Sequence, residues 1–320
     1  MCSSTKKLKI LKTPILFLVF NRPNLTNKVF KIISKNKPSR LYVAADGPRP
    51  KNKEDVENVN RVREIVKAVD WPCEVKTLFR KRNLGCKKAI SDAIDWFFVH
   101  EEEGIIIEDD CLPNEDFFYF CQNLLNYHRD NNQVFMITGN NYQNGIKRGS
   151  SSYYYSKYVH IWGWATWKRA WRYFDRNIKF WADWKNSADW NNKFTSNIER
   201  KYWEKIFDRQ YLNQIDTWDY SWSACLLKNN GLIATPNVNL VRNIGFGEAS
   251  THTNRTNFRY ANTPLGRMHT IIHPNIIKKD EEADKYNYEN FFGGKKLKFP
   301  LSLLNLPKTI IWYFYNNFYK

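Results

Sequence analysis

Residues 104–116, GIIIEDDCLPNED, decide the fold, because an apolar run ends there on a cluster of carboxylates. Three consecutive isoleucines between a glycine and polar residues predict a short strand that is buried on both faces. The next three residues, Glu108, Asp109 and Asp110, form what we call the acidic motif. Adjacent negative charges repel one another, so we expect a positive group at this strand end. Mg²⁺ or Mn²⁺ fits, because hard divalent cations take oxygen ligands and share them with phosphates.

The same stretch also fits an acidic turn in solvent that caps a helix beginning near Pro113. Its position at a strand end favours a binding site, because ligands of open α/β sheets bind beyond the carboxyl ends of the strands. The stretch alone does not decide between the two interpretations.

The composition predicts a protein with a substantial core and an anionic partner. The chain has 320 residues, of which 42% are hydrophobic, and its net charge is +18. This charge suits a nucleotide, a nucleic acid or an acidic membrane. Six cysteines without a CxxC pair or zinc spacing predict reduced thiols in a cytoplasmic protein. The apolar run PILFLVF is too short for a signal peptide, and no stretch approaches the ~20 apolar residues of a transmembrane helix.

Strands and helices alternate through the first half of the chain. Apolar runs bounded by turn residues predict the strands, and apolar positions at helical spacing predict the helices. The predicted strands are residues 14–20, 40–45, 74–79 and 104–108, and the predicted helices are residues 24–35, 53–69 and 86–100. This alternation predicts an α/β fold with a mostly parallel, Rossmann-like sheet that has helices on both faces.

The second half is rich in aromatic residues and less regular. We expect strands at residues 134–138, 153–157 and 231–235, and helices after Pro113, within 176–216 and at 217–228. Residues 242–264 are poor in aliphatic side chains and rich in Gly, Thr, Asn and Arg, which predicts a mobile loop.

Three predicted strand ends carry polar side chains that would meet at one edge of the sheet. Arg22 follows the first strand, Asp46 follows the second, and the acidic motif follows the fourth. A nucleoside diphosphate needs such a set, because a carboxylate can accept from the base, an arginine can pair with a phosphate, and a metal can bridge the diphosphate. Taken singly, Arg22 fits a surface residue and Asp46 an ordinary turn aspartate. Their joint placement favours a binding site.

Four segments, LFLVFNRP, VAADGP, RNLGCKKAI and GIIIEDDCLPNEDFFYF, resemble the GT-A class of nucleotide-sugar glycosyltransferases. The acidic motif and the segment after it are most similar to the N-acetylglucosaminyltransferase I type, and WGWATW and WDYSW resemble segments of related bacterial glycosyltransferases. The similarity covers about residues 12–255. It implies a GT-A domain with a nucleotide-sugar-binding half at residues 12–138 and an aromatic-rich acceptor half at residues 139–262, followed by a C-terminal helical extension at residues 263–320.

The resemblance implies a role for each residue at the strand ends. Arg22 and Asp46 would bind the nucleotide of the donor. Asp110 would ligate the metal, Mn²⁺ or Mg²⁺, and Glu108 and Asp109 would support the metal or the donor sugar.

The resemblance also extends to two tryptophan-rich segments. Trp164 lies in a WGW segment that matches an aromatic segment near the donor and acceptor pocket of the family. We expect one of Trp162, Trp164 or Trp218 to line this pocket, and we assign the donor contact to Trp164. Trp218-Asp219 resembles a Trp-Asp-Asp-Trp segment that carries the catalytic base of the family, although Tyr220 replaces the second aspartate here. The resemblance therefore implies that Asp219 is the base, with Asp216 as the next candidate.

Sugar-transfer chemistry supports the same assignment. Inverting transfer needs one carboxylate that takes the proton from the acceptor hydroxyl, and a metal can stabilise the leaving diphosphate without a protein acid. The alternative for Asp219 is an ordinary aspartate at a helix N-terminus. Residues 242–253 are predicted to form a lid, with Gly245 and Gly247 as its hinges and with Arg242 or His252 reaching the donor diphosphate. Arg82 is also expected to bind the donor.

We therefore expect a metal-dependent inverting glycosyltransferase. Its donor would be a nucleoside-diphosphate sugar such as UDP-GlcNAc, and its acceptor a glycan or lipid-linked saccharide of a bacterial surface. A sugar nucleotidyltransferase is the main alternative, but it requires a glycine-rich loop after the first strand, where this chain has Asn-Arg-Pro. A carbohydrate-binding module would not explain the acidic motif. A nucleic-acid partner is not expected, because the basic charge is spread along the chain and no recognition motif appears.

The segment KTIIWYFYNNFYK after Pro307 predicts a helix with one apolar face, flanked by lysines. Such a face suits an interfacial membrane helix, and each lysine near an anionic leaflet can add ~1 kcal/mol. We expect peripheral attachment to the inner face of the plasma membrane through residues 295–320. Packing of this helix on the catalytic domain is the alternative.

Overall fold

Four parallel strands form one half of the central sheet. The computed structural model describes residues 11–246, 260 and 262–298. The strands are β1 Ile15–Val19, β2 Arg40–Ala45, β3 Glu74–Phe79 and β4 Glu103–Glu108, and they lie in the order β3-β2-β1-β4. Helices α1 Pro23–Asn36, α2 Lys53–Lys67 and α3 Cys86–His100 connect them in chain order. The predicted alternation is confirmed.

The other half of the sheet mixes strand directions. Its strands are β6 Val134–Thr138, β7 Tyr153–Ser156, β8 Trp164–Trp167 and β9 Leu232–Pro236, and the full order is β3-β2-β1-β4-β8-β6-β9-β7. Strands β7 and β8 run antiparallel to their neighbours, and the other six share one direction. The sheet is therefore mostly parallel, as expected. Strand β8 was not predicted, because its tryptophans gave no clear period.

A separate pair of short strands lies beside the sheet. Strand β5, Cys111–Pro113, pairs antiparallel with β10, Val241–Asn243. The expectation that residues 242–264 form a loop throughout is therefore wrong at its start. Because this pairing joins residues far apart in the chain, neither three-residue strand has a local sequence signal.

Seven further helices lie among the described residues. They are α4 Glu115–Tyr127, α5 Lys168–Trp171, α6 Trp181–Trp184, α7 Ala188–Asn191, α8 Asn197–Tyr211, α9 Asp219–Lys228 and α10 Glu281–Asn290, and a 3-10 turn follows at Gly294–Leu297. The helical region predicted over 176–216 contains α6, α7 and α8. Ser187 and Ser196 divide it, because each serine caps the start of a new helix with its side chain.

Both faces of the sheet are buried under helices. On β1, Ile15, Phe17 and Val19 belong to one core, whereas Leu16 and Leu18 belong to the other. The second core also contains most of the tryptophans of residues 139–262. This two-sided burial explains why β1 has a continuous apolar sequence instead of an alternating one.

The structure describes only part of the chain that was expected to meet a membrane. No helix among the described residues is long and apolar enough to cross a membrane. The segment 299–320, which carries most of the expected membrane helix, lies outside the described residues. Peripheral attachment therefore stays a prediction.

Candidate active site

A cleft of about 480 Å³ lies at the carboxyl ends of β1, β2 and β4, and residues from both the first and the second half of the chain line it. This volume is in the usual range for small-ligand sites. A larger depression of about 1610 Å³ lies at the opposite edge of the sheet, where three of its four glutamates already have basic partners. These pairs are Glu101 with Arg40, Glu102 with Lys168, and Glu103 with Arg129. The smaller cleft is the candidate, because ligands of open α/β sheets bind at the carboxyl ends of the strands.

Arg22 joins the end of β1 to the acidic motif. Its guanidinium donates to Asp110 at 3.0 Å and forms a second ion pair with Asp109. Asp109 is only 2% exposed and also accepts the backbone N–H of Phe20 at 3.4 Å. Burial alone would lower the pKa of Arg22, but the charges of the two aspartates outweigh it and raise this pKa. The guanidinium that the resemblance assigns to the nucleotide is thus bound to the acidic motif.

One guanidinium does not neutralise three carboxylates. Burial, together with the charges of Asp110 and Asp109, raises the pKa of Glu108 to about 8. Burial also raises the pKa of Asp109, although Arg22 opposes this shift. The electrostatic balance of the motif therefore favours a further cation.

The acidic motif fits a metal that is shared with a substrate. Among the described residues, no group of three His, Cys, Asp or Glu side chains could hold a metal by itself. Mg²⁺ bound to phosphates commonly takes only one or two carboxylates from the protein. Asp110 is the suitable ligand, since its side chain is 15% exposed, against 3% for Asp109. Glu108 also lines the cleft.

Gly245 forms a wall beside Asp110. The backbone N–H of Ile244 donates to the carbonyl oxygen of Asp110 at 2.8 Å. A Cβ atom at Gly245 would lie 2.4 Å from the carboxylate Oδ2 of Asp110, so a side chain there would displace this carboxylate. The sequence indicated Gly245 as a lid hinge; the structure shows close backbone approach, which the pairing of β5 with β10 imposes.

Asp46 lines the cleft but already has several partners. It accepts the backbone N–H groups of Gly47 at 2.8 Å and Leu84 at 3.0 Å, and the side-chain amide of Asn83 at 2.9 Å. Burial raises the pKa of Asp46, and these backbone donors oppose the shift. Asp46 thus fixes the loop after β3 against the end of β2, whatever it contributes to a ligand.

Three of the expected donor-binding residues do not line the cleft. Arg82 is exposed, and Arg80, which directly follows β3, lines the cleft instead. Arg242 is exposed on β10, because the alternation of a strand turns the neighbouring Asn243 inward. Trp164 is fully buried, so the expectation that it contacts the donor is wrong.

Other aromatic side chains take the place expected for Trp164. The ring of Trp164 stacks on Trp218 inside the second core, with ring centroids 5.4 Å apart. Trp162, two residues earlier, lines the cleft and meets Phe246 edge to face at a centroid distance of 5.5 Å. Residues two apart in a strand would share a face, but Trp162 precedes β8, and Gly163, with a φ of 70°, turns the backbone between the two tryptophans. His252 lies outside the described residues.

Asp219 lines the cleft at the start of α9. Its carboxylate accepts a hydrogen bond from the hydroxyl of Thr217, and Glu108 lines the same cleft. Asp216, the alternative base, accepts from the backbone N–H of Cys86 at 3.3 Å and of Lys87 at 3.1 Å. Asp219 and the acidic motif therefore line the same cleft. Asp216 lines it as well, but its carboxylate is bound to the N-terminus of α3.

No protein-family model and no curated protein matches this chain. Solved structures match at low identity. HddC from Yersinia pseudotuberculosis is 10% identical, with a TM-score of 0.29 over 49% of this chain and 77% of that chain. 4-Diphosphocytidyl-2C-methyl-D-erythritol synthase from Anaerococcus prevotii is 8% identical, with a TM-score of 0.35 over 70% and 88%. The inositol-1-phosphate CTP transferase of T. maritima is 7% identical, with a TM-score of 0.34 over 71% and 85%.

At identities of 7–10% and TM-scores of 0.29–0.35, this similarity does not decide the activity of this chain. The choice between a glycosyltransferase and a sugar nucleotidyltransferase depends on the residues of the cleft.

Arg22→Ala should destabilise the protein by about 3–5 kcal/mol, because it leaves Asp109 buried beside two other carboxylates without its counter-charge. Urea unfolding measures the loss. Added Mn²⁺ should restore part of the stability of the variant, since a cation at the acidic motif would replace the missing charge.

The control for this variant is Lys67→Ala, which breaks an exposed ion pair with Glu64. It should change the free energy of unfolding by less than about 1 kcal/mol. If Arg22→Ala is as stable as this control, the ion pairs of Arg22 do not hold the acidic motif together.

Proposed function

We propose that this protein is a metal-dependent inverting glycosyltransferase that uses a nucleoside-diphosphate sugar, such as a UDP-sugar. The observation that carries the proposal is the position of the acidic motif and Asp219 in one cleft of about 480 Å³ at the carboxyl ends of the strands. The motif suits a metal and a diphosphate, and Asp219 suits a base. The acceptor would be a hydroxyl of a glycan or lipid-linked saccharide.

The acidic motif and two arginines would bind the donor. Asp110, supported by Glu108, would hold Mn²⁺ or Mg²⁺, which supplies charge stabilisation for the leaving diphosphate. Arg22 and Arg80 line the same cleft and bring positive charge to it. Arg22 can exchange its contact with Asp110 for a phosphate oxygen when a cation takes over the charge of that aspartate, while Asp109 keeps the guanidinium in place.

Asp219 would act on the acceptor. Its carboxylate would take the proton from the acceptor hydroxyl as the oxygen attacks the anomeric carbon of the donor sugar from the face opposite the diphosphate. The hydroxyl of Thr217 holds one carboxylate oxygen of Asp219 and so orients the other. Trp162 and Phe246 present ring surface in the same cleft, which suits the apolar face of a sugar.

A sugar nucleotidyltransferase remains the second candidate. The names of two structural neighbours agree with it. Such an enzyme binds the phosphates of a nucleoside triphosphate on a glycine-rich loop after the first strand. Here the connection between β1 and α1 is Phe20, Asn21 and Arg22, which contains no glycine, and its arginine is paired with the acidic motif. These residues favour the glycosyltransferase.

One assay separates the two classes. The protein is incubated with Mn²⁺ and, in one arm, with a panel of nucleoside-diphosphate sugars and saccharide acceptors. The other arm contains nucleoside triphosphates with sugar 1-phosphates. We expect release of nucleoside diphosphate in the first arm and no pyrophosphate in the second. Pyrophosphate release from a nucleoside triphosphate and a sugar 1-phosphate would assign the protein to the nucleotidyltransferases.

Asp110→Asn should lower turnover by orders of magnitude and leave the fold intact, because the cleft loses its accessible charged metal ligand. Turnover is measured over a Mn²⁺ titration, and circular dichroism checks the fold. Wild-type protein in excess chelator should behave like the variant. Undiminished transfer in either sample would exclude a catalytic metal.

Asp219→Asn should lower turnover by ~10²–10⁴-fold, the usual contribution of a general base, and leave the affinity for the nucleotide unchanged. Calorimetry measures this affinity. Asp183→Asn is the control, since Asp183 is exposed on α6 and does not line the cleft. An equal loss of nucleotide affinity would assign Asp219 to donor binding. A product with retained anomeric configuration would remove the need for this base.

A further inference from the structure

A carboxylate from the acceptor half closes the N-terminus of α3. The helix begins after Gly85, which has a φ of 80° and provides no side-chain cap. Asp216, 130 residues after Cys86, accepts a hydrogen bond from the backbone N–H of Cys86 at 3.3 Å and another from Lys87 at 3.1 Å. A carboxylate is stabilised there by the unpaired N–H groups and by the helix dipole. The first turn of α3 is therefore capped by a residue that is distant in the chain.

Further contacts tie the same two segments together. The buried side chain of Lys87 donates to the side-chain oxygen of Asn213 at 3.0 Å. A Cβ atom at Gly85 would lie 3.0 Å from the carboxylate of Asp216, so the glycine gives this carboxylate room to approach. On the other side, the side chain of Gln210 donates to the carbonyl oxygen of Thr217 at 2.8 Å. The chain between α8 and α9 is thus held from both directions.

The anchored segment carries the proposed base. Asp219 follows Asp216 by three residues and accepts a hydrogen bond from the hydroxyl of Thr217. Between them, the buried ring of Trp218 is packed in the second core. The backbone from residue 216 to 219 is therefore fixed at one end by α3 and in the middle by the core. The direction of the Asp219 carboxylate depends on both anchors.

We infer that Asp216 is a positioning residue, which holds Asp219 toward the acidic motif by capping α3 across the cleft. The inference rests on the proposed function, because it assigns Asp216 a role toward the proposed base. It also assigns the N–H groups at the start of α3 to an internal carboxylate. The donor diphosphate would then bind at the acidic motif and not at this helix N-terminus.

Kinetics of three variants test the inference. Asp216→Ala should lower kcat by about 10- to 100-fold, because a small displacement of a catalytic group has effects of this size. The KM for the donor should stay within about twofold, since the donor contacts lie at the acidic motif. Asp216→Asn keeps one acceptor oxygen and should recover part of kcat. Ser196→Ala, which removes the side-chain cap of α8, is the matched control and should keep the kcat of the wild type.

The pH profile separates positioning from catalysis. Protonation of a general base makes kcat/KM fall at low pH, and this fall is the acidic limb of the profile. A positioning residue does not change it, so Asp216→Ala should keep the acidic limb, whereas Asp219→Asn should remove it. Loss of this limb in Asp216→Ala would make Asp216 the base and overturn the inference. A kcat equal to that of the Ser196→Ala control would overturn it as well.

Amide hydrogen exchange tests the link without any assay of activity. In Asp216→Ala, exchange should accelerate at Cys86 and Lys87 and also at residues 217–219, because both segments lose the same anchor. Unchanged protection at residues 217–219 would show that the cap does not hold the proposed base. If the wild-type protein transfers no sugar from any donor, the proposed function fails, and the exchange experiment still decides whether Asp216 links the two segments.

Discussion

The ion pairs of Arg22 with Asp109 and Asp110 are the interaction on which the arrangement of the cleft depends. Strands β1 and β4 are neighbours in the sheet, so the residues that follow them emerge side by side. Asp109 is almost fully buried, and an unpaired carboxylate at that depth would be strongly destabilising. The guanidinium makes this burial possible but leaves the motif with an excess of negative charge. Burial of Glu108, together with this excess charge, raises its pKa to about 8. A divalent cation shared with a diphosphate would neutralise the excess negative charge.

The aromatic half supplies the opposite wall of the cleft. Trp164 and Trp218 stack inside the second core and hold the start of α9 against the sheet. Asp219 lies next to this buried ring, so its position is set by packing as well as by hydrogen bonds. The tryptophans therefore act mainly as core, and one of their neighbours, Trp162, reaches the cleft. The pairing of β5 with β10 completes the wall by bringing Gly245 against Asp110.

The first half of the fold could be predicted from the sequence because its signals are local. Aliphatic runs with turn residues at both ends marked β1 to β4, and carboxylates directly after an aliphatic run marked the acidic motif. Strand β8 and the β5–β10 pair were missed, since short strands are defined by distant partners. The same reason applies to individual side chains. The sequence RKRN does not reveal that Arg80 lines the cleft and Arg82 does not. Likewise, nothing in the sequence around Asp216 indicates that this residue caps a helix 130 residues earlier in the chain.

We propose that the acidic motif binds a divalent metal together with a nucleoside diphosphate. The most direct measurement is the anomalous scattering of manganese in crystals grown with Mn²⁺ and UDP. We expect one strong peak within coordination distance of the Asp110 carboxylate and of the diphosphate oxygens. We also expect Arg22 to keep its contact with Asp109 and to turn from Asp110 toward a phosphate. A nucleotide bound in the cleft without manganese at Asp110, or manganese bound only elsewhere on the protein, would contradict this proposal.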